Sequence, residues 1–371
     1  MTTDQHTSAT ARSGRSPRWV DPAGLAAGAD PGPALDGSGH PAAPLLVVRL
    51  DGPVPPPEVV AAAAEAVAGG DAIVVGVAMT SAPAPALREL TEALDLTLAP
   101  AADGREVAPV ADPLTALDDL QAAVATNPQA ATVLAAVLRT TAGLEVPDAL
   151  DVESFAYSTL LGGPEFAAWL ARRGERPLPP PAPADPVLVA RDGDTLHLTL
   201  NRPERRNAYG REVRDALVAA LQIAVLDTGV DRVVIDGAGR SFCSGGDLDE
   251  FGTTPDLVTA HLVRTRAGAG RPLHHLADRV EVRLHGACVG AGIELPAFAG
   301  RVVAAPGTTF RLPEVGMGLI PGAGGTVSIP RRIGRWRTLH LALGGATLDA
   351  DTAASWGLID EVAPDQESGT A

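Results

Sequence analysis

Residues 310–326 read FRLPEVGMGLIPGAGGT. An apolar run closes on Leu312-Pro313, a single carboxylate follows at Glu314, and a loop with glycines at 322, 324 and 325 comes next. Glycines leave backbone amides open to approach, and amides at a helix start point toward incoming negative charge. The loop has no lysine to reach a phosphate, so it is not a nucleotide-binding P-loop. HGACVGAGIEL, 285–295, repeats the arrangement with Glu294 after its glycines, and it lacks the third glycine of a dinucleotide fingerprint. A third glycine loop, SFCSGGD, spans 241–247. Between Glu294 and Glu314 lies RVVAAP, a strand-like return that would carry both carboxylates to one pocket. Two carboxylates beside converging amides suit proton transfer and water activation next to a carbonyl. An isolated glutamate is more often solvated and glycines more often mark turns, so spacing alone leaves both readings open.

Working outward, VLVARDGDTLHLTLN alternates about Asp192-Gly193 as a hairpin does, and it is followed by a helix (REVRDALVAALQIAVLD) and a buried strand (RVVIDG). This is an α/β pattern. The proline-rich ERPLPPPAPADP, 175–186, cannot continue a helix and reads as an extended linker. Ahead of it, 113–173 carries apolar residues at three- and four-residue intervals, which predicts helices. LLVVRL, VVAAAAEAVAGG and AIVVGVA predict a strand, a helix and a strand. The chain therefore divides into an N-terminal α/β and helical region (44–174), the linker, and an α/β core (187–364). Residues 1–43 lack periodicity and are expected to be a disordered tail, with a second short tail at 365–371.

A formal charge of −16 over 371 residues argues against nucleic acid as a partner. No apolar run approaches the roughly 20 residues of a membrane span, and the first residues lack a signal peptide's apolar core, so no membrane partner and a cytoplasmic location are expected. Cys243 and Cys288 have no Cys or His neighbours at metal-ligand spacing, so no metal is expected and both read as buried thiols. His274, His275 and His285 read as packing or loop residues, and Asp247 as a helix cap.

LNRPERRNA (200–208), RSFCSGGDLDEF (240–251), HGACVGAGIEL, FRLPEVGMGLIPGAGGT and ATLDADTAASWGLIDEV (346–362), in that order, resemble the enoyl-CoA hydratase/isomerase family, the crotonase superfamily. The resemblance implies a crotonase-like ββα superhelix over about 187–364. It implies an acyl-CoA substrate, with coenzyme A part of that substrate and no separate cofactor, and a homotrimer or hexamer. By position, the amides of Ser244 and Ala291 would form the oxyanion hole, Glu294 would activate water and Glu314 would exchange the proton at Cα. Gly245, Gly290, Gly322, Arg205 and Arg206 would line the substrate, the arginines meeting the phosphates of coenzyme A. Retention of both glutamates favours hydration of a 2-enoyl-CoA. Isomerisation, a cofactor-independent arylacetyl-CoA oxygenation and a non-catalytic binding subunit are the alternatives. Gly300-Arg301 stands where the family often has an aspartate, and Pro296 follows Glu294 closely, so the helix that aims Glu294 is expected to differ. The helices that cover the site at the end of family members are absent after Val362. Residues 107–176 resemble them, which implies a permuted or duplicated layout in which this region covers the core.

Overall fold

The computed structural model describes residues 18–29, 35–41 and 44–364. The N-terminal region alternates short strands and helices: β1 (Arg18–Val20), α1 (Pro22–Ala26), β2 (Leu45–Arg49), α2 (Pro57–Ala68), β3 (Ile73–Val77), α3 (Arg88–Ala93), β4 (Leu96–Ala99) and β5 (Val107–Pro109). All five strands run parallel in sequential order. Parallel strands are covered on both faces, which is why IVVGV is apolar throughout and fully buried.

Ordered structure thus begins well inside the stretch expected to be a disordered tail. Residues 18–26 form β1 and α1, with Asp21 capping α1 through the Gly24 amide and Leu25 buried against β2 and α2. Three- and five-residue elements are too short to show periodicity, and pairing with β2 stabilises them instead. Residues 1–17, 30–34, 42–43 and the tail at 365–371 lie outside the described residues.

Four helices follow: α4 (Pro113–Thr126), α5 (Pro128–Thr141), α6 (Val146–Leu161) and α7 (Pro164–Arg173). Each starts with proline in its first turn, where the missing N–H costs no hydrogen bond. Residues 175–186 hold no helix or strand. They lie along the core, where the Ala182 amide donates to Glu212 and Arg202 donates to the Pro180 carbonyl.

The core opens with the hairpin β6 (Val187–Asp192) and β7 (Thr195–Leu200), turning on Gly193-Asp194. It continues with α8 (Arg211–Leu226), β8 (Arg232–Gly237), α9 (Leu257–Ala267), α10 (Gly270–His275), β9 (Val280–Leu284), β10 (Ala287–Val289), α11 (Ala291–Glu294), β11 (Arg301–Ala304), β12 (Thr309–Arg311), α12 (Gly325–Gly344), β13 (Leu348–Asp349), α13 (Ala350–Trp356) and β14 (Glu361–Val362). Six strands form one sheet in the order β14-β11-β9-β8-β7-β6, and β10-β12-β13 form a second, smaller sheet.

The long α12 joins the two regions. Its arginines donate to carbonyls of the N-terminal region: Arg335 to Glu92 and Ala93 of α3, and Arg337 to Gly104 and to Val107 of β5. Beneath them, Asp95 is almost fully buried between Arg139 of α5 and Arg335, and it also accepts from the Val74 amide. Apolar side chains from both regions form one continuous core, in which Leu134 and Leu138 of α5 lie with Ile329 and Ile333 of α12. Each fully buried leucine or isoleucine contributes about 1.5–3 kcal/mol.

Candidate active site

The parallel pairing of β10 with β12 brings the two glutamates together. Val289 is opposite Arg311, and the Gly290 amide donates to the Arg311 carbonyl at 2.9 Å. Both strands therefore end at one edge, and the loops leaving it carry Glu294 and Glu314. This is the strand end at which open α/β sheets place ligands.

Gly290 turns the chain with φ +50° and ψ −120°, a conformation suited to glycine. A Cβ there would lie 2.4 Å from Glu314 Oε1 and 3.5 Å from Glu294 Oε1. The two Oε1 atoms are thus no farther apart than the sum of those distances, about 6 Å, close enough for the Glu314 charge to raise the pKa of Glu294. The single turn of α11 follows, and Pro296 leads into a 3-10 turn over Pro296–Phe298. No long helix holds Glu294. Its Oε2 accepts instead from the amides of Ala323 and Gly325, at 2.7 and 3.0 Å.

Burial, then repulsion from Glu314 and Glu153, pushes Glu294 well above the carboxylate range, against the two amides that favour its anion. Burial likewise pushes Glu314 up to about 7, its own backbone opposing and Glu153 adding to the rise. Glu314 Oε2 is buried with no hydrogen-bond partner among the described residues. Burial thus holds both carboxyls toward the protonated form relative to a free glutamate, which suits proton transfer near neutral pH.

The 241–247 loop reaches this edge through a bridge between Cys243 and Cys288. Gly292 permits the approach, since a Cβ there would stand 2.3 Å from the Cys243 carbonyl oxygen. Both cysteines are buried, and burial raises both thiols, with Cys243 at about 12.

The Ser244 amide is not free for an oxyanion, because it donates to the Arg206 carbonyl at 3.0 Å. The residue of this loop that lines the cavity is Gly246, two residues on. Gly246 and Ala291 both line the cavity, and neither amide donates to a backbone carbonyl among the described residues. Ala291 is the first residue of α11, where the N–H has no partner within the helix. Sequence position misassigned the donor because a left-handed turn at Arg206 and Asn207, unreadable from residue type, brings a carbonyl onto Ser244. Buried Asn207 holds that turn, donating to the carbonyls of Ala238, Ser241 and Phe242.

The arginines expected at the substrate are placed elsewhere. Arg205 is committed to Asp247 and Asp249, at 2.6 and 2.8 Å, and neither it nor Arg206 lines the cavity. Gly245 packs against the Val289 carbonyl, whereas Gly322 faces the cavity and packs on the Tyr157 ring.

The cavity is about 540 Å³. Its lining includes Gly246, Ala291, Glu294 and Glu314 of the core, together with Glu153 and Tyr157 of α6 and Arg264 of α9. Glu153 and Tyr157 were missed in the sequence. A signal was present: Ala149, Glu153, Tyr157 and Leu160 share one helix face, so a carboxylate interrupts an otherwise apolar stripe.

A model of the family described as enoyl-CoA hydratase/isomerase matches residues 192–369. Over 178 residues the chain is 36% identical to 2,3-dehydroadipyl-CoA hydratase of Escherichia coli, covering 48% of this chain and 69% of that protein. The chain belongs to the enoyl-CoA hydratase/isomerase family. Two further members are similar over the same region. The 1,2-epoxyphenylacetyl-CoA isomerase of Escherichia coli is 37% identical over 176 residues, 46% of this chain and 67% of that protein. The probable enoyl-CoA hydratase EchA14 of Mycobacterium tuberculosis is 35% identical over 182 residues, 49% of this chain and 71% of that protein. The family match covers the second half, so α6 enters this family site from outside the matched segment.

Proposed function

We propose that this chain hydrates a 2-enoyl-CoA, with Glu294 and Glu314 as the acid/base pair. The observation that carries the reading is the meeting of these two buried carboxyls, both raised above the ordinary range, beside the amides of Gly246 and Ala291, which donate to no backbone carbonyl among the described residues. The thioester oxygen accepts from both amides, which stabilise charge as it develops there. Glu294, whose anion is supported by Ala323 and Gly325, takes a proton from water as the oxygen bonds to Cβ. The π electrons move to Cα and the carbonyl, forming an enolate, and protonated Glu314 delivers its proton to Cα. The pair resets when a proton passes back through solvent. The reaction consumes only water and the thioester, so coenzyme A serves as part of the substrate and no other cofactor takes part.

The test is mass spectrometry of purified protein incubated with short, long, aromatic and dicarboxylic 2-enoyl-CoAs. A mass gain of one water supports hydration. Conversion without mass change moves the reading to isomerisation, and oxygen uptake with an arylacetyl-CoA moves it to oxygenation. No reaction with any substrate supports a non-catalytic binding subunit.

A further inference from the structure

Four successive amides, Ala323 to Thr326, are divided between two buried carboxylates. Ala323 and Gly325 donate to Glu294. Gly324 and Thr326, the alternate pair, donate to Glu153 Oε1 and Oε2 at 2.8 and 2.9 Å, and the Thr326 hydroxyl adds a third bond at 2.7 Å. The Gly324, Gly325 and Thr326 amides are N-terminal amides of α12, which have no carbonyl partners within the helix, and Ala323 directly precedes them. Water or a nearby cap usually satisfies such groups. Here the two acceptors come from elements far apart in sequence, and each is only 2% exposed.

We propose that Glu153 is a positioning residue for the reaction: from α6 it holds the 322–326 loop in the one shape that presents Ala323 and Gly325 to Glu294. The inference rests on the hydratase reading for its kinetic consequence and on geometry alone for its structural one.

Both oxygens of Glu153 accept from the loop, Oε1 from Gly324 and Oε2 from Thr326, so its recorded bonds hold backbone. Along this turn the successive amides alternate between the two acceptors. Fixing Gly324 and Thr326 from the α6 side therefore sets the direction of Ala323 and Gly325 on the α11 side. Gly324 has φ +103°, and Gly322 lies against the Tyr157 ring, so the same helix supports the loop at two points. The site is incomplete without α6.

Glu153 also acts through its charge. The ionisable groups around it are Glu294 of α11, Glu314 after β12, Tyr157 of its own helix and Arg264 of α9. Arg264 stacks on Tyr157 and donates to Ser154 and Ser158, making no ion pair with Glu153. Burial pushes Glu153 up to about 7, against its three hydrogen bonds and Arg264. When ionised it raises Glu294 and Glu314.

The experiment compares full-length wild type, Glu153→Gln and Thr326→Val. It measures kcat and KM for hydration, the pH profile of kcat/KM, thermal stability, and hydrogen–deuterium exchange of the peptide spanning 321–328. Glutamine cannot accept at both oxygens, so Glu153→Gln is expected to lower kcat about tenfold or more with KM within about twofold, since small misplacement of a catalytic group is costly. Its alkaline limb should shift to lower pH, because a like charge near Glu314 is gone, and exchange at Gly324 and Thr326 should speed up. Thr326→Val removes one bond and keeps the charge; it should give a smaller loss of kcat and no limb shift. A folded Glu153→Gln with unchanged kcat, limb and exchange overturns the proposal. So does a loss of activity that tracks the unfolded fraction while the limb stays in place. If wild type hydrates no enoyl-CoA, the hydratase reading fails separately. Exchange at 324 and 326, with NMR titration of Glu314 in Glu153→Gln, then decides the positioning role, and no change in either overturns it.

Discussion

Gly290 and Glu314 are in contact: a single added carbon on Gly290 would stand 2.4 Å from Glu314 Oε1. The same glycine carries φ +50° and ψ −120°. Gly290→Ala therefore meets backbone strain of about 1–3 kcal/mol and a displaced carboxylate together. The expected result is a lower Tm and a loss of at least about a hundredfold in kcat/KM. A variant with wild-type kinetics would show that the Glu314 position is not critical.

Replacing either member of the pair by glutamine removes a proton carrier while keeping shape. Glu294→Gln and Glu314→Gln should each lower hydration about 10²–10⁴-fold. Solvent-deuterium labelling at Cα separates the roles: Glu314→Gln should lose α-exchange, whereas Glu294→Gln should retain more of it than of hydration. Equal loss of both activities in the two variants would contradict the division of labour.

Stability should depend on pH through Glu314. Its folded pKa, about 7, lies above the ordinary value of 4.5, so the folded chain holds the proton more tightly than the unfolded chain. That contribution is complete below about 4.5 and is lost as pH rises through about 7. Between pH 5 and 8, wild type should lose more Tm than Glu314→Gln does. The same titration removes the Cα proton donor, so kcat/KM should fall on the alkaline side of about 7. A flat profile to pH 9 would refute the assignment of Glu314 as acid.

Asp95 holds the two regions together away from the cavity, between Arg139 and Arg335. Asp95→Ala removes the carboxylate from both guanidinium groups, leaving them only backbone carbonyls as acceptors, and leaves the Val74 amide without its acceptor. Breaking a buried pair in this way costs about 3–5 kcal/mol. Calorimetry should show a Tm lower by several degrees, with kcat of the folded protein kept within about twofold because the cavity is untouched. A drop in kcat without a drop in Tm would place Asp95 in the site's support instead.

Periodicity and glycine chemistry made much of this molecule legible before folding. The helices of 113–173, the β6–β7 hairpin and the loops bearing Glu294 and Glu314 all follow from local pattern, because side-chain period and turn preference are properties of neighbouring residues. The resemblance in five ordered motifs likewise located Ala291 and both glutamates. It did not distinguish the Ser244 amide from that of Gly246, since a donor is free only if no carbonyl has reached it, and the Arg206 carbonyl arrives through a left-handed turn. Nor did it show that Arg205 is already paired, or that residues 18–26 complete a sheet.

What the sequence by itself determined is most of the elements from residue 45 onward, the family and the core carboxylates Glu294 and Glu314. Only the tertiary structure decided how they are aimed. Glu153 lies 141 positions before Glu294 in the chain, yet the two share the amides of a single turn. The physical reason is that hydrogen bonds and charge repulsion act through space, over a few ångströms, between backbone groups whose directions no residue type records. The parallel pairing of β10 with β12, and the docking of α6 on α12, set those directions.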